Sequence, residues 1–208
     1  MNTVFCLLAA LFGYLAGSLS SAIIVCRIFG LPDPRTQGSN NPGTTNVLRL
    51  GGKKAAAITL LGDVLKGVIP ALILKLIFPE ETMLWLLAGF FAFIGHIYPV
   101  FFAFKGGKGV ATAAGVLLVW EPLVGLLCIG AWVLIFAITR LSSLAALAAA
   151  FVAPIATFAL NRSGKELPIL VLFIVAMLVF RHRGNIQRLL SGQEQAFKSN
   201  KTSSADKT

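Results

Sequence analysis

Long apolar segments alternate with short polar stretches along most of the chain. Seven of these segments are apolar enough to form transmembrane helices, and we predict helices at residues 4–26, 55–78, 83–104, 109–120, 123–139, 142–161 and 167–181. The longest segments contain about 20 residues or more, which is the helix length needed to cross roughly 30 Å of hydrocarbon. The pattern therefore predicts an all-α integral membrane protein.

The first apolar segment has two interpretations, a secretory signal or a retained helix. Residues 1–3 lack the positive charge that opens a signal peptide, and the run that follows exceeds the roughly 7–15 residues of a signal's apolar core. Arg27 closes the run without an obvious cleavage site. A retained transmembrane helix is the favoured interpretation.

The number of helices depends on the stretch from Val110 to Thr139, which only Glu121 and Pro122 interrupt. One continuous helix there would give six spans, whereas a break at this dipeptide gives seven. Lys and Arg concentrate in loops on the cytoplasmic side of a membrane. Seven spans place most of the 18 basic residues on one side, together with the C-terminus, so we predict seven spans with the N-terminus outside.

Composition agrees with this class of protein. Hydrophobic residues make up 57% of the 208 residues and charged residues 12%, whereas a soluble domain is about half apolar and about a quarter charged. The net charge of +10 is interpreted as a signal for orientation and for anionic lipid headgroups. We therefore expect membrane lipid, and no nucleic acid, as a partner.

The chain is predicted to form a single transmembrane domain at residues 1–194. Residues 195–208 are polar and are expected to be a disordered cytoplasmic tail. The three cysteines all fall within apolar segments, and an odd count without metal-like spacing indicates neither a disulfide framework nor a metal site. No cofactor is expected.

The first polar stretch, residues 33–46, clusters amide and hydroxyl groups and is followed by Arg49. Ser39 and Asn46 belong to this cluster. A guanidinium offers two parallel donors to a phosphate, and amides can orient the rest of a phosphate ester. An ordinary hydrophilic turn explains the composition equally well, so a phosphate site here is one of two open alternatives.

The second polar stretch is Lys-Gly-Gly-Lys-Gly at residues 105–109, directly before a predicted helix. Glycines allow backbone N–H groups to approach an anion closely, and the helix N-terminus adds its dipole. Lys105 and Lys108 supply positive charge, although a flexible turn with topogenic lysines is the alternative. The stretch does not match a P-loop, because Phe102 and Gly109 occupy positions where that motif has glycine and Ser or Thr.

The third polar stretch, residues 181–188, follows the last apolar segment. Its arginines alone are typical of a stop-transfer cluster. His182 and Asn185 lie three positions apart and would share one helical face if the helix continued, which makes them a candidate pair lining a pocket.

Three ionisable residues fall inside apolar segments, namely Asp63, Lys66 and His96. Charge within hydrocarbon is costly, so such residues usually face the protein interior and pair with each other. Asp63 and Lys66 are three apart, which favours a structural ion pair over a proton relay. His96 is interpreted as a buried hydrogen-bonding residue.

Both histidines lack an acid five positions later, because Phe101 follows His96 at that distance and Gln187 follows His182. The His-x4-Asp dyad of common glycerolipid acyltransferases is therefore absent. The sequence offers no conventional nucleophile or general base.

Four separated stretches, at residues 38–49, 62–67, 95–112 and 182–189, together resemble the bacterial acyl-phosphate:glycerol-3-phosphate acyltransferase family over about residues 10 to 194. The resemblance implies a seven-helix enzyme of the bacterial inner membrane with its active site facing the cytoplasm. It further implies transfer of an acyl chain from acyl phosphate to glycerol 3-phosphate, giving lysophosphatidic acid and inorganic phosphate, the first step of phospholipid synthesis. We take a monomer as the working expectation.

The resemblance also implies roles for particular residues. Ser39 and Arg49 would hold glycerol 3-phosphate with Asn46 nearby, and His182 and Asn185 would complete that side. The residues that would cradle the phosphate of the acyl donor are Gly106, Gly107, Lys108 and Gly109. Lys105 is a further substrate-binding candidate because of the charge it supplies beside them. The chain departs from the family pattern at Asn40, where glycine is expected, and at Thr44, where alanine is expected.

Two other functions fit parts of the pattern. A transporter for anionic solutes would also direct helix N-termini at its substrate, but the polar stretches share one predicted face and no paired repeat is visible. A non-catalytic scaffold that binds anionic lipid through basic loops would not need glycines and amides beside the cations. The enzyme interpretation is favoured because acyl phosphate is already activated and needs positioning more than a strong base.

Overall fold

The computed structural model describes residues 3–160 and 164–197, and within these ranges all regular secondary structure is helical. The α-helices are α1 Thr3–Gly17, α2 Ser21–Ile28, α3 Thr44–Ile77, α4 Thr82–Ile97, α5 Val110–Trp120, α6 Pro122–Thr139, α7 Ser142–Leu160, α8 Glu166–Arg181 and α9 Arg183–Leu190. A short 3-10 turn, Val100–Phe102, follows α4. The predicted all-α class is confirmed.

Helices occur at all seven predicted segments, but several boundaries differ. The predicted helix 4–26 consists of α1 and α2 with an interruption between them. The predicted helix 55–78 agrees with the part of α3 that follows Gly52, whose non-helical backbone separates it from a shorter helical segment that begins at Thr44. The end of the segment 142–161 lies outside the described residues. Arg49, which the sequence placed after a loop, therefore lies within α3.

By length and composition, five helical segments of the described chain are long and apolar enough to cross a membrane. A sixth exists if α8 and α9, which meet at a bend of 59°, are counted as one span. Helix α5 has 11 residues, which is about 16 Å at 1.5 Å per residue. The seven-span topology and its orientation therefore remain predictions.

The predicted break between α5 and α6 is present at Glu121. Its backbone is extended, with φ −141° and ψ 95°, and Pro122 is the first residue of α6. Proline suits this position because its missing N–H would have no intrahelical partner there. Gly125 allows α5 and α6 to pack tightly across the turn, because the Cβ of any other residue there would lie only 2.7 Å from the Leu118 nitrogen.

Helices α1 and α4 pack at unusually close range. A Cβ at Gly13 would lie 2.1 Å from the carbonyl oxygen of Ala88, and one at Gly17 would lie 2.0 Å from that of Ala92. Small residues four apart allow such backbone contact between membrane helices. Large apolar side chains such as Leu7 and Phe151 are exposed on the outer faces, as expected of a protein surrounded by lipid.

The described residues after α9 contact the bundle. Glu194 accepts hydrogen bonds from Ser143 and Asn185, and the Phe197 N–H donates to the carbonyl of Arg140. The tail predicted from residue 195 therefore begins with three residues that have no regular secondary structure, and the third of them, Phe197, contacts the end of α6. Residues 198–208 lie outside the described residues.

Candidate active site

The loop before α3 is organised around the side chain of Asn46, which is 1% exposed. Its Oδ1 accepts from the N–H of Ser39, and its Nδ2 donates to the carbonyls of Pro34 and Gln37. A Cβ at Gly38 would lie 2.2 Å from Asn46 Oδ1, so glycine is needed there. Both amide protons of Asn46 are used within the protein, which makes it a residue that shapes the loop.

The two departures from the family pattern fall in this same loop. Asn40 adopts a left-handed conformation with φ +54°, which explains why glycine is expected there and why asparagine is tolerated. The Oγ1 of Thr44 is buried and has no hydrogen-bond partner within the described part of the chain. The additional hydroxyl relative to alanine is therefore unsatisfied.

The two arginines of the first stretch have different surroundings. The Arg35 guanidinium is held by Asp33 through contacts of 2.6–3.1 Å, and this pairing lowers the pKa of the Asp33 carboxyl. Arg49 is exposed, and its guanidinium lies over the ring of Phe197, 5.5 Å from the centroid. Arg49 is therefore the arginine whose donors are available to an external anion.

The glycine-rich stretch lies directly against the end of α4. A Cβ at Gly106 would lie 2.0 Å from the His96 carbonyl oxygen, and one at Gly107 would lie 2.3 Å from His96 Nε2. Gly109 has φ +85° and faces the Phe93 ring, a conformation that favours glycine. These glycines are thus required by packing, independently of any ligand.

Not every N–H of this stretch is available to a phosphate. The Gly107 N–H donates to the His96 carbonyl at 3.2 Å. On the opposite side, the Arg181 guanidinium donates to the carbonyls of Gly106 and Gly107 at 2.9 and 3.2 Å. Arg181 therefore holds the stretch in place, whereas the sequence suggested only a stop-transfer role for it.

The second and third polar stretches meet through a chain of side chains. The Lys108 ammonium donates to Asn185 Oδ1 at 2.5 Å, and Asn185 Nδ2 donates to Glu194 Oε1 at 2.6 Å. Ser143 donates to the same Glu194 oxygen at 2.6 Å, and Arg188 donates to the other at 2.8 Å. Residues from three separate parts of the chain are thereby joined at one end of the bundle.

Burial lowers the pKa of two groups in or beside this series of hydrogen-bonded side chains. Burial lowers the pKa of Lys108 to about 8, and neighbouring arginines, including Arg49, lower it further against the opposing effect of Glu194. Burial and then the Lys108 charge lower the pKa of His182 to about 4, so its imidazole is neutral near pH 7. Because His182 Nδ1 lies 2.8 Å from the Leu178 carbonyl, which only accepts, Nδ1 carries the proton.

A buried polar network includes His96, the residue against which the glycine-rich stretch packs. Lys66 and Asp63 form the predicted ion pair at 2.9 Å. Thr112 Oγ1 donates to the Asp63 carbonyl at 2.9 Å and lies 3.1 Å from His96 Nδ1. Since the hydroxyl proton is directed at the carbonyl, Thr112 accepts from His96 Nδ1–H, which leaves the Nε2 lone pair towards Gly107. The prediction that His96 is a buried hydrogen-bonding residue is confirmed.

A cavity of about 330 Å³ opens where α8 ends and α9 begins. It is lined by Arg181, Arg183, Gly184, Asn185 and Gln187. It is bordered by cations and amides, which are the groups that bind phosphate in proteins. The cavity lies at the bend between α8 and α9. The helix does not continue straight past Arg181, which was the condition for His182 and Asn185 to share one helical face, but both side chains are buried.

The structure unites part of the predicted residue set. Lys108, Asn185, His182 and Arg49 interact directly or electrostatically. Ser39 is exposed on the first loop, with its N–H bonded to Asn46.

Among the other predicted residues, Lys105 is exposed, and Gly106, Gly107 and Gly109 line the turn. Sequence reasoning missed Arg181, Ser143 and Glu194. The one available signal was Glu194 itself, the single acidic residue between Arg181 and Lys201, a stretch that is otherwise rich in basic residues.

These features define a helical integral membrane protein with a cationic, amide-lined site suited to a phosphate. The family model described as glycerol-3-phosphate acyltransferase matches residues 7–192. A glycerol-3-phosphate acyltransferase of Methylococcus capsulatus is 57% identical over 183 residues, 88% of this chain and 91% of the relative. One of Shewanella woodyi is 50% identical over 189 residues, 91% of this chain and 92% of the relative. The chain belongs to the glycerol-3-phosphate acyltransferase family, which confirms the predicted resemblance.

Solved structures agree with this assignment. The crystal structure of PlsY (YgiH), an integral membrane glycerol 3-phosphate acyltransferase, in its glycerol 3-phosphate form has a TM-score of 0.87 and 40% identity, and covers 93% of this chain and 96% of that one. The lysophosphatidic acid form of PlsY has a TM-score of 0.84 and 39% identity, covering 93% and 95%. The chain is accordingly a multi-pass bacterial membrane protein.

Proposed function

We propose that this protein transfers an acyl chain from acyl phosphate to glycerol 3-phosphate and releases lysophosphatidic acid and inorganic phosphate. Family membership supports acylation of glycerol 3-phosphate, and the related PlsY structures are of glycerol 3-phosphate and lysophosphatidic acid forms. The observation that carries the proposal is the hydrogen bond between Lys108 and Asn185, which joins the second and third stretches. The charge of Arg49, from the first stretch, also acts on Lys108.

Two phosphates need two sets of donors. In the proposed arrangement Arg49 and Ser39 hold the phosphate of glycerol 3-phosphate, and Asn185 and His182 complete that side. Lys108, whose partly buried ammonium retains its charge below pH 8, faces the phosphate of the acyl donor.

The remaining predicted residues contact acyl phosphate or act through the loop that precedes α3. The donor's phosphate is further held by Lys105 and by the backbone of Gly106, Gly107 and Gly109. The Gly107 N–H already donates to His96, so this residue contributes close approach rather than a hydrogen bond. Asn46 acts by holding the loop that carries Ser39.

The reaction requires little from a protein base. The glycerol hydroxyl oxygen attacks the acyl carbon, the bond from that carbon to the phosphate oxygen breaks, and phosphate leaves with the bonding electron pair. The hydroxyl proton passes to a substrate phosphate, so the products are an ester and protonated inorganic phosphate. The site contributes positioning and stabilises the developing negative charge.

We also propose seven transmembrane spans, with the N-terminus outside and the active site at the cytoplasmic face of the inner membrane. The support is the distribution of basic residues together with the short α5, around which a bilayer can thin. Residues 1–194 would form a single domain that acts as a monomer, with the acyl tail of the donor lying between helices at the bilayer edge.

The direct test is purified protein in detergent, supplied with acyl phosphate and glycerol 3-phosphate and assayed for lysophosphatidic acid and phosphate. We expect stoichiometric release of both products, and little product when acyl-CoA replaces acyl phosphate. Equal turnover with the thioester would contradict the proposed donor. Uptake of glycerol 3-phosphate into protein-containing vesicles, without product formation, would favour the transporter alternative.

A further inference from the structure

Phe197 joins the end of the described chain to the first polar stretch. Its N–H donates to the Arg140 carbonyl at 3.0 Å, and its ring meets that of Phe136 edge to face, with centroids 6.2 Å apart. The Arg49 guanidinium lies over the Phe197 ring, 5.5 Å from its centroid. Phe197 is therefore fixed on one side by α6 and the turn after it, and presents its ring to Arg49.

The segment that carries Phe197 is held at both ends. We refer to residues 194–197 as the C-terminal strap. At its start, the Glu194 carboxylate accepts from Ser143, Asn185 and Arg188. The C-terminal strap thus begins at Glu194, which accepts from the Asn185 amide, and ends at Phe197, whose ring contacts the Arg49 guanidinium.

A cation–π contact leaves a guanidinium able to bind phosphate. The ring attracts the positive charge and is not a hydrogen-bond acceptor of the carboxylate or carbonyl kind, so the fork of five N–H donors keeps members for an anion. Arg35 provides the contrast, because its donors are taken up by Asp33. The Arg49 guanidinium makes no hydrogen bond to an acceptor among the described residues, and its cation–π contact restricts the long side chain without pairing it to a carboxylate.

We propose that Phe197 is a positioning residue for Arg49, holding its guanidinium where it receives the phosphate of glycerol 3-phosphate. This inference rests on the proposed role of Arg49. Phe197 itself touches no reacting atom. Its effect is therefore confined to the binding of one of the two substrates.

Phe197→Leu tests the proposal, because leucine keeps an apolar side chain but removes the aromatic face. The KM for glycerol 3-phosphate should rise about 3- to 10-fold, in keeping with the strength of a partly exposed cation–π contact. The kcat and the KM for acyl phosphate should remain within about 2-fold. Phe197→Tyr and Phe197→Trp retain the ring face and should bind glycerol 3-phosphate as the parent does.

Phe29→Leu is the matched control. The Lys54 ammonium lies 6.0 Å from the Phe29 ring, so this substitution removes a comparable contact that involves none of the residues proposed to bind substrate. Its kinetic constants should be unchanged. A rise in both KM values in Phe197→Leu, or a loss of thermal stability that Phe197→Trp shares, would indicate a merely structural role and overturn the proposal.

The double variant separates this inference from the one on which it rests. If Phe197 acts through Arg49, Phe197→Leu should add less than about 2-fold to the KM of Arg49→Ala, which removes the cation altogether, since coupled residues are not additive. Full additivity would overturn the proposal. Normal binding by Phe197→Leu alongside weak binding by Arg49→Ala would overturn only the role of Phe197. An unchanged KM in Arg49→Ala would overturn the role of Arg49 as well.

Discussion

The Lys108 ammonium donates a hydrogen bond to the side-chain oxygen of Asn185, 77 positions away in the chain. This contact places the turn at residues 105–109 and the segment that begins at His182 at the same end of the helix bundle. Because Asn185 is also bonded to Glu194, Lys108 is linked through one amide to a carboxylate. The link explains how a partly buried ammonium is kept in place in the absence of substrate.

Activity should depend on the charge of Lys108, whose pKa is lowered to about 8 by burial. The ammonium form is lost as pH rises through this value, so kcat/KM, which reports groups of the free enzyme, should fall above about pH 8. The kcat should persist to higher pH, because a bound phosphate raises the pKa of a neighbouring ammonium. Initial-rate profiles between pH 6 and pH 10, corrected for spontaneous hydrolysis of acyl phosphate, measure this.

Two variants serve as controls for the pH dependence. Lys108→Arg keeps a charge that does not titrate in this range, so the decline above pH 8 should disappear from whatever activity it retains. Lys108→Ala should lose about 100- to 1,000-fold in kcat, comparable to the removal of one donor that stabilises a developing charge. An unchanged decline in Lys108→Arg would assign the titration to another group.

The contact between Asn185 and Glu194 predicts a charge-compensation effect. Asn185→Asp removes the donor to Glu194 and places two carboxylates together, which should destabilise the folded protein by about 2 kcal/mol and reduce activity. Adding Glu194→Gln restores one donor and one acceptor between the two side chains. Thermal unfolding in detergent should show the double variant to be more stable than Asn185→Asp alone, and a double variant that is less stable would contradict the assignment.

The glycine-rich turn should not tolerate a methyl group. A Cβ at Gly107 would lie 2.3 Å from His96 Nε2, so Gly107→Ala must displace the turn or the histidine, at a cost of about 1–3 kcal/mol and most of the activity. At Gly130 in α6 a Cβ would meet no described atom within 4 Å, so Gly130→Ala should be neutral or stabilising by up to about 1 kcal/mol. Parallel melting curves and turnover rates compare the two. Equal behaviour would show that the turn is not packed as described.

The buried ion pair should contribute structure and no proton transfer. Removing one partner, as in Lys66→Met, leaves an uncompensated charge and should cost roughly 3–5 kcal/mol. Replacing both partners, as in Asp63→Leu with Lys66→Met, should recover most of that loss. The yield of folded protein and the melting temperature report this, and kcat per folded molecule should change little in the double variant. A 100-fold loss of kcat there, with normal substrate binding, would implicate Asp63 in moving the proton.

The parts of the fold that the sequence predicted are those that the bilayer dictates. A run of uncharged apolar residues must form a helix in lipid, because no water is present to satisfy its backbone. The extended backbone of Glu121 and the proline after it could likewise be anticipated from local chemistry. The start of α3 could not, because residues 44–54 are largely polar and carry two glycines. The backbone of Gly52 is non-helical, with φ +74° and ψ −170°, and separates a short first helical segment from the rest of α3.

The site was predictable only where the residue types themselves suit a phosphate. Lys108, Arg49 and Asn185 have this quality, whereas the hydrogen bonds that occupy Asn46 depend on how the chain folds back on itself. Arg181 was interpreted through its position after an apolar run. Phe197 was assigned to a polar tail, because its partners lie more than 50 positions earlier in the chain and no local pattern indicates them.

The order in which the site is assembled follows from the position of Asn185. During synthesis, helices α1 to α8 leave the ribosome before this residue does, so a nascent polypeptide can already hold Arg49 and Lys108 while it lacks the amide that accepts from Lys108. Such an intermediate has no complete pair of phosphate subsites. Under the proposed roles, catalysis would therefore require the emergence of α9, and a chain truncated before Asn185 should show no acyl transfer.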